Sequence, residues 1–202
     1  LTYGFSTARL IGATVLVMAL SASPLTLHAA KRNAGPSAAQ ILQSAESHAR
    51  AEHKNILLEF GASWCINCKL YDRMLQDPSM HAILNPHFVF AYMDTGEHPG
   101  DTRHANTPGG LAFENSIGGR HAGWPFLVIL SPDGKPVVNS FRPNPKSSGA
   151  RSKTGDNIGY PVLPQEVDWF IVMLQRGAPS LSRHELAQVH AWLTAQAAKL
   201  QH

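Results

Sequence analysis

The feature that most restricts this chain is a short apolar run, Asn55 to Phe60 (NILLEF). It leads through Gly61-Ala62-Ser63 straight into Trp64-Cys65-Ile66-Asn67-Cys68-Lys69. An apolar run of that length, closed by a glycine, reads as a buried strand. From Cys65 onward the apolar positions change to helical spacing, with Leu70, Met74 and Leu75 on one side. Strand, tight turn and helix in that order put Cys65 at a helix N-terminus. Unpaired amides and the positive end of the helix dipole stabilise a thiolate there. The thiolate is the nucleophilic form of cysteine, so Cys65 is the expected attacking group. Cys68, one turn further in, is placed to resolve a mixed disulfide. Lys69 adds positive charge beside the pair.

These are the two cysteines of a 202-residue chain. A bridge across so short a loop removes little chain entropy, which makes the pair chemical rather than structural. On the redox reading it works without a cofactor or a metal. A CxxC is also half of a zinc site, but zinc takes four ligands and no second cysteine pair exists. His98, His104 and His121 are the loop histidines that could complete such a site, so a metal-binding or metallochaperone module stays open as an alternative. The remaining histidines of the eleven are scattered, with no HExxH spacing.

Residues 10–20 (LIGATVLVMAL) form an apolar run of about eleven residues, short of the roughly 20 needed to span a membrane. Arg9 precedes the run, and Pro24 and small residues follow it. That order reads as a secretory signal peptide over 1–29, cleaved after Ala29, with an uncleaved anchor as the alternative. Export implies an oxidising compartment. The remainder, 37–202, is one domain's worth of chain. The net charge of the whole chain is +3, with lysines and arginines dispersed among acids. Without a basic stripe, nucleic acid is not an expected partner.

Ser37 and Gln40 form a capping box ahead of an amphipathic helix over 37–52. Asp77-Pro78 starts a short helix to about Asn85. A second strand is expected over His87–Met93, a loop over 95–110 and a helical turn near Leu111–Ile117. Pro125–Leu130 (PFLVIL) is a third strand, and Ser131-Pro132-Asp133-Gly134 turns it into an antiparallel return over Lys135–Ser140. Residues 142–164 read as a long polar loop. Helices fill 165–201, one with Val167, Phe170, Ile171 and Leu174 on a single face, the other capped by Ser182 and Glu185. The order gives an α/β fold with a sheet covered by helices.

Strand, Trp-Cys-x-x-Cys-Lys and helix, followed by Gly123-Trp124-Pro125 ahead of an apolar strand, resemble the thioredoxin superfamily. The likeness covers roughly residues 37–141. It extends to exported thioredoxin-like proteins of the WCxxCK type and to the thioredoxin domains of membrane electron transporters. It implies a thioredoxin-like fold, a central mixed sheet flanked by helices, here with extra C-terminal helices. By matching, Glu59 takes the place of the family's buried acid, which accepts the proton of the resolving thiol. Pro125 takes the place of the cis-proline, and Trp64 and Trp124 line the substrate-docking groove. Two departures stand out: Ile66-Asn67 replaces the Gly-Pro of thioredoxin, and Phe90 stands where the family has a strand lysine.

The expected activity is therefore that of an exported thiol–disulfide oxidoreductase, in a bacterial periplasm, reducing or isomerising protein disulfides. A reductase in an oxidising space implies a membrane-bound electron donor as partner. Besides the metal module, a non-catalytic interaction domain on the same fold is the second alternative.

Overall fold

The computed structural model describes residues 35–143 and 155–200. The expected signal peptide at 1–29 lies outside the described residues, as does the stretch 144–154.

The Ser37 hydroxyl accepts from the Gln40 amide at 3.3 Å, and Gln40 Oε1 accepts from the Ser37 amide at 2.8 Å. This reciprocal cap opens α1 (Ala38–Glu52). His53, with φ 56°, closes the helix in the left-handed region, and the chain enters β1 (Asn55–Gly61). One residue, Asp77, ends α2 (Ile66–Gln76) and begins α3 (Pro78–Leu84). Its carboxylate accepts from the amides of Ser79 and Met80, while Pro78 has no amide to satisfy. Then come β2 (Phe88–Asp94), α4 (Gly110–Ser116), β3 (Phe126–Leu130) and β4 (Pro136–Asn139).

The sheet runs in the order β2-β1-β3-β4. β1 and β2 are parallel, and β3 is antiparallel to both β1 and β4. A central strand is buried on both faces, and this explains why NILLEF is apolar without alternation. Ile56, Leu58 and Phe60 join Phe126, Val128 and the α1 alanines Ala45 and Ala49. Leu57 points the other way, with Leu127, Ile129, Tyr71 and Met74. The two-residue period puts Glu59 on the Leu57 side, under α2. The architecture is thioredoxin-like: a mixed sheet with helices on both faces.

Helices α5 (Pro164–Gly177) and α6 (Arg183–Leu200) finish the described chain. They are core elements rather than appendages, because Phe170, Met173, Leu174, Val189 and Leu193 are fully buried. Each such side chain contributes about 1.5–3 kcal/mol on leaving water.

The segment read as a long loop, 142–164, has structure at both described ends. β5 (Phe141–Arg142) and β6 (Asp156–Asn157) pair antiparallel. Gly155, at φ 86°, passes so close to the Arg142 backbone that no β-carbon would fit. Ile158 and Tyr160 are buried in the core. Isolated between glycines and prolines, these two apolar residues show no period, so composition alone points to a loop.

Gly177 ends α5 against Ile129, where an added β-carbon would come within 3.2 Å of the Ile129 β-carbon and closer still to its branches. Overpacking of this kind costs about 1–3 kcal/mol. Gly177→Ala is expected to lower the urea midpoint accordingly, without altering the reactivity of the cysteines.

Candidate active site

β1 ends at Gly61, and the chain turns through Ala62-Ser63-Trp64 to reach α2. Cys65 is the N-cap of α2, and its sulfur accepts from the Cys68 amide at 3.1 Å. The two cysteines form a disulfide with Cα atoms 5.3 Å apart. Both sulfurs are shielded in this state: Cys65 is 5% exposed and Cys68 2%. Exposure thus scarcely distinguishes the two while the bridge is closed. The cap hydrogen bond distinguishes them instead, because it is aimed at Cys65 alone.

Trp124 packs against Ala62, Cys65 and Cys68. Trp64 is 44% exposed and meets Trp124 edge-on, with ring centroids 5.8 Å apart. The Trp124–Pro125 peptide is cis. The sequence-identified residues Trp64, Cys65, Cys68, Trp124 and Pro125 therefore share one end of the sheet.

Glu59 lies below them, 3% exposed on β1. A β-carbon placed on Gly61 would stand 3.1 Å from Cys68 Sγ and 3.3 Å from Glu59 Oε1. The missing side chain at 61 thus leaves a small gap that the Cys68 sulfur and the Glu59 carboxyl both border. Glu59 Oε1 is buried without a hydrogen-bond partner among the described residues. Burial, reinforced by the negative charges of Asp72 and Asp94, pushes its pKa up to about 9. Asp72 and Asp94 are themselves raised, chiefly by burial.

Several residues at this site carry no local sequence signal. After β2 the chain forms a clamp, Thr95-Gly96-Glu97. Thr95 and Gly96 donate their amides to Gly61 O at 2.9 and 3.1 Å. The Trp64 indole donates to Gly96 O at 2.9 Å, and the Trp124 indole to Thr95 Oγ1 at 3.1 Å. Glu97 is buried and accepts from both the amide and the hydroxyl of Ser63. Gly96 lies under the Trp124 ring, where a β-carbon would come within 2.8 Å of it. An acid and a glycine in a Gly/Pro/His-rich stretch look like ordinary loop residues until the fold brings them to the cysteine turn.

Two of the three histidines weighed as metal ligands, His98 and His104, have other engagements. His98 stacks on Trp64 with centroids 4.9 Å apart, and His104 pairs with Asp101 at 3.2 Å. Glu97, Asp101 and His104 bring donor atoms within 4.8 Å of one another, but both Glu97 oxygens are already bonded to Ser63. The cysteines bond each other.

A CxxC disulfide at the N-terminus of α2, over a buried carboxyl and beside a Trp-Pro loop, defines a member of the thioredoxin superfamily and supports a thiol–disulfide redox role. Residues 21–154 match the family model Thioredox_DsbH, described as a protein of unknown function, DUF255, and the chain belongs to that family. Among solved structures, it is 27% identical to a disulphide isomerase from Xylella fastidiosa Temecula1. That alignment covers 48% of this chain and 69% of the other, with a TM-score of 0.40. It is 25% identical to a DsbH oxidoreductase, over 58% and 82% of the two chains, TM-score 0.35. It is 24% identical to the oxidised C-terminal domain of DsbD from Neisseria meningitidis, over 52% and 84%, TM-score 0.37. No curated protein matches it.

Burial of Glu59 makes stability depend on pH. Below its ordinary pKa of 4.5 the carboxyl is neutral whether the chain is folded or unfolded. From there to about 9, the folded chain keeps a proton that the unfolded chain releases, so stability falls as pH rises. The slope is about 1.4 kcal/mol per pH unit. Glu59→Gln, which cannot ionise, should therefore gain on the wild type by up to about 4 kcal/mol between pH 5 and pH 8. Urea unfolding of the oxidised proteins at both pH values measures this; a pH-independent difference would mean that the ionised carboxyl is not penalised.

Proposed function

We propose that this protein is an exported thiol–disulfide oxidoreductase that reduces or isomerises disulfides of other proteins. The observation that carries the reading is the gap at Gly61 beneath a capped Cys65, bordered by the Cys68 sulfur and by Glu59 Oε1, which is buried without a hydrogen-bond partner among the described residues. A structural disulfide has no use for a costly buried acid.

In the reducing direction, the Cys65 thiolate attacks one sulfur of a substrate disulfide. The substrate S–S bond breaks, a Cys65–substrate bond forms, and the released substrate thiolate takes a proton from solvent. Cys68 then loses its proton to Glu59 when that carboxyl is ionised, the minority form at neutral pH, and attacks the Cys65 sulfur. The Cys65–substrate bond breaks, the second substrate sulfur leaves as a thiolate and takes a proton from solvent, and the Cys65–Cys68 disulfide closes. Two electrons have passed to the substrate. With the disulfide closed, a pKa raised to about 9 keeps Glu59 protonated at neutral pH. That is the state from which it returns the proton to Cys68 when a dithiol donor opens the bridge. Trp64, Trp124 and Pro125 form the docking surface beside Cys65.

Export rests on the apolar run at 10–20, and no helix of the described residues is long and apolar enough to cross a membrane. In an oxidising compartment the reduced pair must be regenerated, and a membrane-bound electron donor fits that need.

A Cys68→Ser variant should accumulate mixed disulfides through Cys65, and Cys65→Ser should accumulate none. Non-reducing gels and mass mapping of the trapped peptides decide this. Capture through Cys68, or full biological activity in the double variant, would favour a non-catalytic interaction domain. Glu59→Ala should slow turnover roughly 10²-fold, the lower range for lost acid–base help. Rates that do not change between pH 6 and 8 would mean that Glu59 does not move the proton.

A further inference from the structure

Asn157 joins the described end of the 142–164 segment to the loop that presents Trp124. Its Nδ2 donates to the carbonyls of Ala122, Gly123 and Pro125 at 3.1, 3.2 and 3.0 Å. These acceptors bracket Trp124 on both sides. The other end of the amide, Oδ1, accepts from Ser140 Oγ at 2.6 Å and from the Gly159 amide at 3.4 Å. Three acceptors at one end and two donors at the other fix which way the amide points.

Asn157 is itself held. It pairs with Phe141 across β5 and β6, and fully buried Ser140 ties it to the sheet, because Ser140 Oγ also accepts from the Leu127 amide at 2.9 Å. Ser140 O accepts from the Ile158 amide at 3.0 Å. Gly159 lies beside Pro125, with room for no more than ordinary contact. A rigid floor from the sheet thus ends in one amide group gripping the Trp124 loop from behind. The front of that loop meets the cysteines.

We infer that Asn157 is a positioning residue for substrate docking, holding the Ala122–Pro125 backbone in the shape that a polypeptide substrate meets beside Cys65. The inference rests on the docking role given above to Trp124 and Pro125. Asn157 touches neither sulfur, so it acts on how a chain is seated and leaves the thiol chemistry alone. Asn157→Asp keeps the shape of the side chain and replaces the donor with an oxygen facing three carbonyls. Asn157→Ser removes the grip without adding charge.

The test compares two substrates for the reduced full-length protein. One is a disulfide-linked peptide, which must lie along the loop; the other is 5,5′-dithiobis(2-nitrobenzoate), which needs only Cys65. Asn157→Asp and Asn157→Ser are expected to slow the peptide reaction roughly tenfold, the scale of one or two hydrogen bonds lost on docking. The small-reagent rate, and the pH profile of Cys65 alkylation, should stay within about twofold. Equal slowing of both reactions, or of neither, overturns the inference, and Asn157→Ser decides the matter if the aspartate variant does not fold. Trp124→Ala, run in parallel, separates the two levels. If it slows the peptide while the Asn157 variants do not, only the Asn157 role fails; if it too has no effect, the docking reading fails with it.

Discussion

Strand β1 is hydrogen-bonded along both edges and covered on both faces, and its last residue is where the chain leaves the sheet for the cysteine turn. Position along β1 therefore sets height beneath the disulfide. Glu59 stands two residues from the exit, on the face that α2 covers, and α2 carries both sulfurs. Sliding the strand by one residue would turn the carboxyl into the α1 side and bring an apolar side chain under Cys68. The apolar neighbours of Glu59 hold that register, since each of them fits one cluster and not the other.

The same strand explains why the surroundings are built as they are. An acid among Leu57, Leu127 and Tyr71 is costly when ionised, and Asp72 and Asp94 increase that cost. Gly61 provides space, while the Thr95–Glu97 clamp hydrogen-bonds to its carbonyl and to the turn that follows. The two tryptophans are pinned by their indole N–H groups to that clamp, which fixes their angle over the bridge. Support for the site thus comes from three separate segments, after β1, after β2 and before β3, with a fourth arriving at Asn157.

How much of this was legible follows from the range of each signal. The strand at 55–60, the capped helix α1, the shared Asp77 cap and the hairpin after Leu130 are written in neighbouring residues, and the structure agrees with them closely. Cys65 and Cys68 stand out by their spacing, and Glu59, Trp64, Trp124 and Pro125 through the family resemblance; the fold brings all six to one end of the sheet. Gly61, Asp72, Glu97 and Asn157 were not legible, because their importance comes from what the fold places beside them and not from any local pattern. Asn157 sits in a stretch of Gly, Ser and Pro that resembles a linker; what distinguishes it is the set of carbonyls it reaches, more than thirty positions earlier. The burial of α5 and α6 was readable as amphipathic pattern, but their full share in the core was not.

The outermost strand on the far side of the sheet, β4, begins with Pro136 and carries a register shift opposite Ile129 and Leu130. A proline there offers no amide to a visiting strand, and an irregular edge does not match a straight one. An oxidoreductase of the kind proposed above would meet partly unfolded chains as a matter of course. With this border blunted, such chains would find poor purchase for sheet extension along β4.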